Sequence, residues 1–71
     1  MIKVLVTYDM FREGFTELEK LYDVTFPEGR DFTYDEVYEM IPEYDVLCSM
    51  FDFPVNKKLI DNAPKLKLVS N

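Results

Sequence analysis

The chain contains no histidine and no tryptophan, and only one cysteine and two glycines among its 71 residues. Without histidine it lacks the commonest general base and the commonest metal ligand. A single cysteine, Cys48, excludes an internal disulfide and a cysteine-based zinc site. Gly14 and Gly29 stand far apart, whereas a phosphate-cradling loop needs several glycines close together. Neither a dinucleotide fingerprint nor a P-loop can be written. Positive charge is scarce too: 8 Lys and Arg against 14 Asp and Glu leave a net charge of −6. Such a chain repels phosphate backbones, which argues against a nucleic-acid partner. There is no run of about 18 apolar residues, so no membrane span is expected. Met1 leads directly into Ile2-Lys3-Val4-Leu5-Val6, which reads as a strand and not as a secretory signal. A cytoplasmic protein is the expectation.

What is present is globular in character. Hydrophobic residues make up 48% of the chain, and Phe and Tyr are abundant. The length suits one domain or a piece of one. A chain this short buries only about 60% of its unfolded surface, so marginal stability is expected.

Ile2 to Thr7 is almost continuously apolar, which suits an interior parallel strand. Tyr8-Asp9-Met10 reads as the turn after it. From Phe11 the period changes: Phe11, Phe15, Leu18 and Tyr22 recur at helical spacing, with Arg12, Glu13, Glu17, Glu19 and Lys20 opposite. Gly14 inside this pattern costs about 1 kcal/mol against Ala, and marks either a close approach to a sheet or a late helix start. Tyr22 to Phe26 alternates apolar and polar residues, as a strand with one wet face or at a sheet edge does. Pro27-Glu28-Gly29-Arg30 breaks it.

Thr33-Tyr34-Asp35-Glu36 fits a capping box, and Phe32 and Val37 are spaced for a hydrophobic staple around it. Tyr34, Val37, Tyr38 and Ile41 form the expected buried stripe of that helix, and Pro42 ends it or begins the connection. Val46-Leu47-Cys48 is a short apolar run expected to be a strand buried on both faces, with Cys48 as a small buried hydrophobe. Asn56 is placed to cap a short helix carrying Leu59, Ile60 and Ala63, with Pro64 as its stop. Leu66 to Val69 begins a fourth strand.

Strand and helix thus alternate, which predicts an α/β fold with a parallel sheet and right-handed crossovers. The alternating second strand belongs at an edge, giving about four strands in the order 2-1-3-4. In such a sheet ligands sit outside the carboxyl ends of the strands. The loop Ser49-Met50-Phe51-Asp52-Phe53, which follows the third strand, is therefore the candidate functional surface. Ser49 has no histidine to activate it, so a serine nucleophile is not expected. Asp9 ends the first strand, where acidic residues bind metal in some doubly wound folds. Cys48 and Ser49 at the third strand end rule out a receiver-type acidic site, and Asp9 reads as a turn or cap residue. No metal site and no catalytic proton-transfer group is expected in this chain.

The segment Leu59-Ile60-Asp61-Asn62-Ala63-Pro64-Lys65-Leu66-Lys67, together with Asp45-Val46-Leu47, the opening Lys3 to Thr7 and the Glu13-Gly14-Phe15 step, resembles the D-isomer-specific 2-hydroxyacid dehydrogenases. The resemblance covers all 71 residues, but only the first part of a protein several times longer. It implies that residues 1–71 are part of a flavodoxin-like, three-layer substrate-binding domain, and that the NAD- or NADP-binding domain and the catalytic Arg, Glu and His lie outside this chain. It implies a fragment that binds no cofactor itself. It further implies that the Ser49 to Phe53 loop is a wall of the substrate cleft. Family members acting on phosphoglycerate tend to carry Arg-Ser where this chain has Met50-Phe51. Met50 cannot bind a phosphate and Asp52 would repel one, which points to a small or apolar 2-oxo or 2-hydroxy acid. A fourth strand with a bare edge further implies a homodimer, with Leu66, Leu68, Val69, Phe51 and Phe53 as its contact set. The rival reading, from a different class, is a stand-alone flavodoxin-like interaction or dimerisation module with no chemistry.

Overall fold

The computed structural model describes residues 2–9, 16–50 and 52–70. Four short strands form one all-parallel sheet: β1 (Lys3–Val6), β2 (Asp23–Thr25), β3 (Val46–Cys48) and β4 (Leu68–Ser70). Their order is β2-β1-β3-β4, as the sequence pattern predicts, with β2 at one edge. The helices α1 (Thr16–Leu21), α2 (Tyr34–Met40) and α3 (Lys57–Asp61) form the crossovers. The predicted turn residue Met10 and the expected first half of helix one, Phe11 to Phe15 with Gly14, lie outside the described residues, as do Phe51 and Asn71.

α2 begins where its capping box dictates. Thr33 Oγ1 accepts from Glu36 N at 3.2 Å, and Glu36 Oε1 accepts from Thr33 N at 2.9 Å. Phe32 and Val37 both join the main core, as a hydrophobic staple requires. The helix passes into a 3-10 turn at Ile41–Glu43, where Pro42 removes a donor from the helical ladder. At α3 the Asn56 side chain accepts from Leu59 N at 3.0 Å, the expected N-cap.

The main core lies on one face of the sheet. Leu5 and Leu47 point down from β1 and β3 onto Val37 and Ile41 of the α2 segment and onto Leu59 and Ala63 of the α3 segment. A smaller cluster on the other face holds Val4 and Val6 with Tyr22, Val24, Val46 and Cys48. Odd and even residues of the strands divide between the two clusters, as the two-residue period of a strand requires.

Four expectations are adjusted by the packing. Val46 and Cys48 are only half-buried, and both pack on the smaller cluster. Tyr22 falls just after α1, not within its stripe, and packs on the second cluster. Ile60 is exposed while Leu59 and Ala63 are buried, since a five-residue helix presents only a narrow stripe to the sheet. Leu66 packs against the main core, and pairing with β3 proper starts two residues later, at Leu68.

Candidate functional site

A small cavity opens at the carboxyl end of the sheet, where β1 and β3 lie side by side. Thr7 and Tyr8 come to it from the end of β1. Asp31, Phe32 and Tyr34 come from the β2–α2 connection and the first residue of α2. Met50, Asp52, Phe53 and Pro54 come from the loop after β3. Its volume is about 150 Å³, the space of roughly five waters in the liquid. That is enough for a two- or three-carbon acid and too little for a nucleotide.

The backbone fixes this mouth. Phe32 N donates to Thr7 O at 2.8 Å, and Asp9 N donates to the Asp31 carboxylate at 2.8 Å, so the loop before α2 is tied to the end of β1. Thr7 N donates to Cys48 O at 3.0 Å, and Ser49 N to Ser70 O at 2.8 Å, extending the ladder past the strands. The Phe53 ring stacks on Tyr34, centroids 6.2 Å apart, and Tyr34 stacks in turn on Tyr38.

The electrostatics are one-sided. Among the described lining residues two, Asp31 and Asp52, are acidic and none is basic. Arg30 lies beside Asp31 but is paired with Glu36: its two terminal nitrogens meet the two Glu36 oxygens at 2.7 and 2.8 Å, and one also donates to Asp31 O at 2.9 Å. This pair, with the Thr33 amide, pushes the Glu36 carboxyl down to about 2. The described side chains of this wall offer no cation to a carboxylate or a phosphate. They can shape the space beside one, with aromatic rings, a thioether and a hydroxyl. Among the described residues no group of acidic or cysteine side chains is placed to hold a metal ion.

The loop expected to form the site divides. Met50, Asp52 and Phe53 line the cavity. Ser49 does not: it is a buried residue, 1% exposed. Phe51 lies outside the described residues. Sequence reasoning missed the opposite wall, Thr7, Tyr8, Asp31, Phe32 and Tyr34. Applying the strand-end rule to β1 as well as β3 points to Thr7 and Tyr8. Asp31 carries no such signal, because only the folded loop brings it back to β1.

Residues 4–71 match the family described as D-isomer specific 2-hydroxyacid dehydrogenase, catalytic domain. A glyoxylate reductase of Pyrococcus furiosus is 27% identical over 70 residues, which is 97% of this chain and 21% of that protein. A glyoxylate reductase of Thermococcus gammatolerans is 29% identical over the same length, and one of Thermococcus litoralis is 29% identical over 69 residues. The chain thus spans about a fifth of the length of the relatives it matches, 21% in each of these cases.

Proposed function

The chain belongs to the D-isomer-specific 2-hydroxyacid dehydrogenase family, within its catalytic domain, and from that membership we propose that residues 1–71 are the substrate-side part of an oxidoreductase. The whole protein would move a hydride between NAD or NADP and the C2 carbon of a small 2-hydroxy or 2-oxo acid, in the cytoplasm. The observation that carries this reading is the cavity at the carboxyl ends of β1 and β3, sized for a small acid and built by a chain of this family.

In this reading Met50, Asp52 and Phe53 form one side of the substrate cleft, Phe51 belongs to the same loop, and Ser49 supports it from beneath. Thr7, Tyr8 and Tyr34 form the facing side. The acid's own carboxylate is held elsewhere, by cationic or backbone groups outside this wall, because Asp31 and Asp52 repel it here. Hydride transfer and the accompanying proton transfer also need groups this chain does not supply: it has no histidine and no glycine-rich loop. Glyoxylate, the substrate named for the relatives, fits the volume. Hydroxypyruvate and pyruvate are of similar size; a phosphorylated acid is disfavoured by Asp52 and by the neutral Met50.

The division of labour is tested by titrating the purified chain against NADH fluorescence, with glyoxylate present and absent. No saturable binding and no NADH oxidation are expected. Saturable micromolar binding would show that a nucleotide site exists within these residues and would refute the reading.

A second observation favours self-association of the isolated chain. β4 has no described strand on its outer side, and Leu68 and Val69 on it are exposed. The contact set expected from sequence contracts accordingly, because Leu66 and Phe53 pack against the chain's own core. Pairing of two β4 edges about a two-fold axis is the simplest arrangement.

A further inference from the structure

The ring of Phe53 lines the cavity, and its backbone has little freedom. Phe53 N donates to Met50 O at 3.0 Å, closing a four-residue turn. Pro54 follows it and disfavours helical backbone at Phe53. What the backbone leaves open is the side-chain torsion, which has three staggered wells.

Tyr34 closes that freedom. Its ring stacks on Phe53, centroids 6.2 Å apart and planes at 27°, inside the range of a favourable offset stack. A Phe53 ring turning away from the cavity towards α2 would meet the Tyr34 ring. Tyr34 cannot easily give way. Its hydroxyl donates to the Asn56 side-chain oxygen at 2.9 Å, and its ring also stacks on Tyr38 at 6.2 Å and 26°. Tyr38 is fastened to the end of α3, because Asn62 Nδ2 donates to Tyr38 O at 2.8 Å. The segment from Phe53 to Asn56 is thus tied to α2 at both ends by one side chain.

We propose that Tyr34 is a positioning residue that acts through Phe53: it keeps that ring against the cavity and so limits the acids admitted to those of two or three carbons. This rests on the reading of the cavity as part of the substrate cleft. In an apolar pocket one methylene of misfit changes kcat/KM by about 10-fold or more. The acid 2-oxopentanoate, two methylenes longer than pyruvate, is therefore a sensitive probe of how far the Phe53 ring stands from the other wall.

The test uses the whole protein that carries residues 1–71, with initial rates of NADH oxidation on glyoxylate and on 2-oxopentanoate. Tyr34→Ala removes the ring and is expected to raise the kcat/KM ratio of 2-oxopentanoate to glyoxylate about 10-fold, with the change lying in KM. Tyr34→Leu serves should that variant fail to fold. Tyr34→Phe keeps the stack without the hydroxyl and is expected to retain the parent ratio. Thr33→Ala breaks the α2 capping box while leaving every ring in place. It is expected to lower the melting temperature and leave the ratio alone, which separates positioning from general loosening. Phe53→Leu should raise the ratio by itself, and adding Tyr34→Ala to it should raise it no further. An unchanged ratio in Tyr34→Ala, an equal rise in Thr33→Ala, or additive effects of the Tyr34 and Phe53 changes would overturn this inference and leave the enzymatic reading standing. A folded parent that oxidises NADH with neither glyoxylate, hydroxypyruvate nor pyruvate would refute that reading, and this inference with it.

Discussion

The Tyr34 hydroxyl donates to the Asn56 side-chain oxygen at 2.9 Å, and the same oxygen accepts from Leu59 N at 3.0 Å. The first residue of α2 thus holds the N-cap of α3, and its ring stacks on Phe53 in the loop between β3 and α3. One side chain joins both helices on that face and a wall of the cavity. Tyr34→Phe should cost about 0.5–1 kcal/mol, the low end for a hydrogen bond because this one is exposed. Asn56→Ala should cost about 1 kcal/mol through the lost cap as well. In a domain of this size each kcal/mol lowers Tm by about 4–8 °C. Thermal melts of the two single variants and the double variant measure this. The double variant should be less destabilised than the sum, because both singles remove the same bond.

Acid should unfold the chain partly through Glu36. Its carboxyl is held near 2 against an ordinary value of 4.5, first by the Arg30 side chain and then by the Thr33 amide. A carboxyl lowered on folding stabilises the native state above its unfolded pKa and loses that contribution as pH falls through the folded one. The loss therefore runs from about pH 4.5 down to about pH 2. Glu36→Gln keeps the capping-box geometry but removes the charge. Urea midpoints measured across this window should fall less steeply for Glu36→Gln than for the parent. Parallel curves would show that Arg30 contributes nothing through this pair.

The local signals that the sequence carried were those set by near neighbours. Thr33 and Glu36 are three residues apart, and their capping box formed as predicted. The alternation around Val24 put β2 at the edge, and the order 2-1-3-4 followed. What was not legible depended on distant contacts. Cys48 looked like a fully interior residue, yet it is half-buried, beside Val4 and Val6 in the smaller cluster, a placement that depends on contacts distant in sequence. Asp31 reads as a loop residue until its carboxylate meets Asp9 N, 22 residues away. Half of the site belonged to β1 and the α2 entry, which no motif near Ser49 to Phe53 could reveal.

The core should tolerate little. Leu47 is fully buried at the centre of the main cluster. Leu→Ala in such a site costs about 2–5 kcal/mol. A chain of 71 residues has a total stability of about 4–10 kcal/mol at the usual value per residue. Leu47→Ala should therefore leave a large unfolded fraction at 25 °C, read by far-UV circular dichroism. Ile60→Ala, on the exposed side of α3, should change the melt by less than about 1 kcal/mol.

The free edge of β4 should make the isolated chain associate. Sedimentation equilibrium over a concentration series should show a dimer of the 8.5 kDa protomer at high micromolar concentration. A monomer persisting through that range with a cooperative melt would show that the sheet needs no partner at its edge.

The claim that these residues are the substrate side of a 2-hydroxyacid dehydrogenase is tested most directly by exchange. The matched region of the Pyrococcus furiosus glyoxylate reductase, 21% of that protein, is replaced by this chain, and the initial rate of NADH oxidation is measured with glyoxylate. The chimera is predicted to bind NADH and oxidise it in the presence of glyoxylate, and to lose most of that rate on Phe53→Asp, which puts a third carboxylate into the cavity wall. A chimera that folds and binds NADH, yet turns over neither glyoxylate, hydroxypyruvate nor pyruvate, would contradict the account.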